Sequence, residues 1–75
     1  MHTRHRFAHN LGQARLKKGL SQADLAARCD LHRSEISLLE RGGREPRLGV
    51  LVKLAAALGA DLDALLTPPD AAASR

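Results

Sequence analysis

Aromatic residues are almost absent from this chain: among Phe, Tyr and Trp only Phe7 occurs in 75 residues. Any core must therefore be aliphatic, built from Leu, Ala, Val and Ile. Cysteine occurs once, at Cys29, which excludes an internal disulfide and the stapled scaffolds of small secreted proteins. No apolar stretch approaches the ~20 residues of a membrane span, and no apolar run follows Arg4 and Arg6 as in a signal peptide. A soluble, cytoplasmic protein is expected. Runs of β-branched and aromatic residues are missing too, so strands are not expected. There is no nucleophile–base pair, acidic dyad or glycine-rich phosphate loop, and Gly42-Gly43 reads as a helix stop. A chain this short forms one domain and buries only ~60% of the surface it exposes when unfolded. That leaves no second layer for an enzyme cleft, so neither catalysis nor a cofactor is expected.

What is present is basic charge, unevenly placed. Residues 1–59 hold eleven of the twelve Lys and Arg against five acids, a net charge of +6. Residues 60–75 hold one base against three acids, a net charge of −2. A basic body suits a polyanion, because neutralising phosphates releases counterions and drives association.

Apolar periodicity and end signals predict five helices. The first runs from about His5 to Lys18, with Phe7, Leu11 and Ala14 on one face and Gly19 as its stop. The second follows Ser21, which with Asp24 forms a capping box, carries Leu25 and Ala26 inward and ends near Cys29. The third spans roughly His32 to Arg41, with Ile36 and Leu39 buried. Pro46 fits the entry to a fourth, from about Arg47 to Leu58, whose inward stripe reads Leu48, Leu51, Leu54, Ala55 and Leu58. A short fifth, from Asp61 to about Leu66, brings in Leu62 and Leu65. The domain is thus expected over residues 1–66, with a disordered tail over 67–75.

Only about three residues, Asp30 to His32, separate the second helix from the third. So short a link makes the pair cross steeply, as in a helix-turn-helix. Small Ala26 lets the two backbones approach, and Arg33, Ser34, Ser37 and Arg41 form the polar face of the third helix, with Leu38 beside them.

With these elements in place, the chain resembles the lambda-repressor-like family of Cro-type (XRE) regulators from about Phe7 to Leu66. The resemblance is carried by Gly19-Leu20-Ser21-Gln22, Leu25-Ala26, Ile36-Ser37, Leu39-Glu40-Arg41-Gly42, Pro46, Leu51, Leu54-Ala55, Leu58 and Leu65. It implies an all-α, five-helix DNA-binding domain whose third helix enters the major groove of double-stranded DNA. Arg33 and Ser34 match the family's leading base-contact positions and Leu38 one a turn later. An arginine there can fork to O6 and N7 of guanine, while a leucine can only pack against a thymine methyl. The resemblance makes Gln22, with the helix start at Ser21, a phosphate clamp. Ser37, Arg41, Arg44 and Arg47 are further candidates for phosphate contacts that set register. Arg15 and Glu40 match positions that form a partly buried ion pair tying the first helix to the third. Two positions depart from the pattern: Asp30 stands where glycine is usual, and His32 where Ser, Thr or Asp would cap the third helix.

Some residues have plainer readings. His5 and His9 share a helix face near His2, but no Cys, Asp or Glu accompanies them, so solvated histidines are favoured over a metal site. Cys29 is read as filling a small apolar gap, a redox switch being the less favoured alternative. Leu16, Val50, Val52 and Leu66 fall off the buried stripes. Leu66, with Val52 or Ala60, is a candidate contact in a homodimer, since one small module reads too few bases for useful specificity. The expected function is a transcriptional regulator, a repressor binding a palindromic operator as a homodimer and residing with the nucleoid. Two alternatives remain open: an autoregulating antitoxin with a toxin partner, and an interaction module that has lost DNA binding.

Overall fold

The computed structural model describes residues 3–67, which form five helices and no strand. These are α1 (Thr3–Lys17), α2 (Gln22–Arg28), α3 (Arg33–Glu40), α4 (Leu48–Leu58) and α5 (Leu62–Leu66). All five expected helices are present, with ends displaced by one or two residues. The expected tail lies outside the described residues apart from Thr67, which ends α5.

The helix ends follow local chemistry. Ser21 caps α2, its hydroxyl accepting from the Asp24 amide at 2.9 Å while the Asp24 carboxylate accepts from the Ser21 amide at 3.0 Å. His32 precedes α3 without a side-chain capping bond. The Glu35 carboxylate supplies the return half instead, accepting from the His32 amide at 3.2 Å. Gly59 closes α4 in the left-handed conformation (φ 62°). Asp30, at the turn between α2 and α3, takes φ 57°, the backbone conformation for which the family uses glycine.

The core is aliphatic apart from Phe7. Phe7, Leu11, Leu25, Ile36, Leu54 and Leu65 are fully buried, surrounded by Ala26, Leu39, Leu51, Ala55, Leu58 and Cys29. Every helix contributes, so the cluster lies between α1, the α2–α3 pair and the α4–α5 pair. The stripe on α4 is shorter than its periodicity suggested. Leu48 is not inward but 71% exposed, because the first turn of α4 projects past the cluster and Val50 packs there instead. On α5, Leu65 is buried whereas Leu62 only lines the cluster.

Candidate nucleic-acid interface

α2 and α3 pack directly on each other, and α1 packs across α3. The buried side of α3 is Ile36 and Leu39, one helical turn apart. Its leading end therefore faces outward, with Arg33 and Ser34 exposed and Ser37 and Leu38 half-buried at the edge. Leu38 leans over Gly43: a Cβ at Gly43 would lie 2.5 Å from Leu38 Cδ1. The Gly43 amide also donates to the Leu38 carbonyl at 3.0 Å. The turn after α3 thus folds back under Leu38.

α3 is tied to the rest of the molecule by charge. Arg15 on α1 forks onto Glu40 through Nε to Oε2 at 2.6 Å and Nη2 to Oε1 at 3.0 Å. Both side chains are nearly covered, at 13% and 11% exposure. The remaining arm of Arg15, Nη1, donates to the Leu20 carbonyl at 2.8 Å. One guanidinium therefore fixes α1, the turn leading into α2 and the far end of α3. Its hydrogen bond to Glu40 holds the Arg15 pKa above its ordinary value, outweighing burial.

Gln22 joins this group, its Nε2 donating to Glu40 Oε1 at 3.3 Å. Sequence pattern alone did not show that link, since the partners are 18 residues apart. Ser21 is exposed beside it, engaged in its capping box. Past α3, Arg41 is exposed with Nε donating to the Ser37 carbonyl at 3.3 Å, and Arg44 and Arg47 are exposed around Pro46. Arg47 precedes α4 in an extended conformation without a side-chain cap.

The plainer candidates are also placed. His5 covers buried Gly42 (φ 72°), where a Cβ would come within 2.7 Å of its ring. No group of three or more potential metal ligands occurs among the described residues. Cys29 is buried, its thiol donating to the Lys53 carbonyl at 3.7 Å, and burial pushes its pKa up. That is the opposite of a reactive thiolate. Val52 is half-exposed, whereas Ala60 and Leu66 are half-buried against the core. No described helix is long and apolar enough to cross a membrane.

A short steep helix pair presenting a polar helix edge, with arginines on the following loop, defines a helix-turn-helix nucleic-acid-binding protein. The family model described as Helix-turn-helix matches residues 11–65. The uncharacterized HTH-type transcriptional regulator y4dJ of Sinorhizobium fredii is 41% identical over 61 residues, covering 81% of this chain and 79% of that protein. The crystal structure of the hypothetical transcription factor NHTF from Neisseria superposes with a TM-score of 0.91 at 37% identity, covering 97% of this chain and 84% of that one. The restriction-modification controller protein C.AhdI of Aeromonas hydrophila gives a TM-score of 0.79 at 39% identity, over 83% of this chain and 94% of that one. The chain belongs to the helix-turn-helix family of the XRE type, whose members are DNA-binding transcriptional regulators and not enzymes.

Proposed function

We propose that this regulator is a sequence-specific repressor in the cytoplasm, where it binds a palindromic operator on the nucleoid as a homodimer. The observation that carries this reading is the leading end of α3, with Arg33 and Ser34 exposed while Glu40 anchors the other end to Arg15. A helix held so firmly can present the same side chains to every site it meets. Arg33 reads a guanine edge, Ser34 an adjacent base or phosphate, and Leu38 contributes shape against a thymine methyl. Ser37, Arg41, Arg44 and Arg47 hold phosphates along the groove, with the start of α2 at Ser21 and Gln22 on the flanking strand. A twofold would set two such helices about one DNA turn (~34 Å) apart, with Leu66, Val52 and Ala60 near the contact. Selection of bound sites from random DNA tests the reading. Two inverted half-sites spaced by one turn are expected; a single undivided site bound one-to-one would remove the twofold.

The likeness to C.AhdI favours a second, narrower reading, control of restriction–modification genes, because that protein is matched over 94% of its length. Binding of the purified protein to the promoter of an adjacent methyltransferase–endonuclease pair would support it. Absence of such a pair near the gene would count against it.

A further inference from the structure

α5 has five residues, too short for a helix to persist alone, and its one buried side chain is Leu65. Its last carbonyls need partners, and a single side chain from the opposite end of the sequence supplies them. Asn10, half-buried on α1, donates through Nδ2 to the Leu65 carbonyl at 2.8 Å and to the Thr67 carbonyl at 2.7 Å. An amide nitrogen has two hydrogens, and both are used. The same turn is closed from within: the Thr67 hydroxyl and amide both donate to the Asp63 carbonyl, at 2.6 and 2.9 Å. Asparagine is a poor residue for a helix interior. Its position inside α1 is accounted for by this long-range clamp.

We infer that Asn10 is a positioning residue for self-association, holding α5 so that Leu66 and the neighbouring Val52 and Ala60 are presented as one preformed surface. The inference rests on the homodimer reading above and supplies what that reading lacks, the group that fixes the contact surface. Without the clamp α5 detaches locally while α1 to α4 stay packed, since Phe7, Leu11, Leu25, Ile36 and Leu54 do not depend on it. A surface that must be ordered before it can associate binds more weakly by the fraction of time it is ordered.

The test compares the wild-type chain with Asn10→Ala and Asn10→Asp by amide hydrogen exchange and by sedimentation equilibrium. Asp keeps the size of Asn but can only accept, so it faces two carbonyls with a carboxylate. The amides of Ala64, Leu65 and Thr67 are expected to exchange about tenfold faster in Asn10→Ala, the scale of one or two lost hydrogen bonds, and faster again in Asn10→Asp. Those of Ile36 and Leu39 should change little. The dimer dissociation constant should rise in the same order, by about tenfold or more. A uniform rise in exchange over all helices would overturn the inference, because Asn10 would then be general scaffolding. An unchanged dissociation constant beside a dimeric wild type would overturn it as well. A wild type that stays monomeric at every concentration removes the homodimer reading itself, and with it the assembly role of Asn10.

Discussion

A guanidinium at the exposed start of a helix gains from a guanine edge only when two parallel hydrogen bonds form at once, which is why Arg33 is a specific reader and not a generic cation. Arg33→Ala is expected to weaken operator binding by ~1–3 kcal/mol and to relax preference at one base position. Binding measured on the operator and on singly substituted sites checks this; equal losses on every sequence would reassign Arg33 to a phosphate. Three residues before it, Asp30 holds φ 57° at a cost that a glycine would not meet. Asp30→Gly relieves that strain but gives the unfolded chain more freedom, so the net gain is small, about 0.5 kcal/mol or ~2–4 °C in Tm. A lowered melting temperature would show that the aspartate side chain, not the backbone, decides that turn. Asp30 was visible in the sequence as a departure from glycine, and the backbone conformation at that position is the one glycine would have served. Gln22 was less legible. Its motif position points to a phosphate, but the Glu40 carboxylate that accepts its amide can be assigned only once α2 and α3 are packed.

Each helix owes its position to a few side chains whose loss has different signatures. Glu40→Ala strips Arg15 of its bidentate partner in a nearly covered site, and breaking such a pair costs about 3 kcal/mol, the low end for buried pairs because some solvent reaches it. The expected result is a large fall in Tm, with DNA binding lost in proportion to the unfolded fraction. Full thermal stability with lost binding would mean that Glu40 acts on DNA directly. At the start of α2, hydrogen bonds from the Ser21 amide and the proximity of Arg28 hold the Asp24 carboxyl below its ordinary pKa. A carboxyl whose folded pKa is depressed contributes fully above its unfolded pKa, and the contribution disappears as pH falls through the folded value. The Tm difference between wild type and Asp24→Asn should therefore be constant above about pH 5 and close below about pH 3. A difference that persists in acid would assign the effect to the side chain's shape instead of its charge. Periodicity located every helix, since Leu25, Ile36, Leu54 and Leu65 recur at spacings only a helix puts on one face. It misplaced Leu48, because a repeat cannot reveal that the first turn of α4 extends beyond the core it should cover. It was silent on Asn10, whose partners lie 55 and 57 residues away.

For the molecule as a whole, affinity for DNA is set by how many phosphates it neutralises, and its charge distribution decides where. The described residues measure 34 × 23 × 19 Å, so one copy covers little more than one groove face of the duplex. The net charge of +6 over residues 1–59 is not spread evenly over that body. Arg41, Arg44 and Arg47 stand together on the loop after α3, beside the readers Arg33 and Ser34, whereas Lys17, Arg28 and Lys53 lie on other elements. Arg44 is exposed, and among these loop arginines its position between Gly43 and Glu45 suits contact with the backbone, not with a base edge. Removing it should therefore lower affinity for all sequences alike. Each neutralised phosphate contributes about −0.9 to the slope of log K against log salt, so Arg44→Ala should make that slope shallower by about one unit per protomer. The measurement is a binding titration on operator and unrelated DNA at several salt concentrations. Parallel losses on both, converging at high salt, are expected from a phosphate contact. A loss confined to the operator, with the slope unchanged, would instead place Arg44 among the base readers and extend the reading edge beyond α3 into the loop.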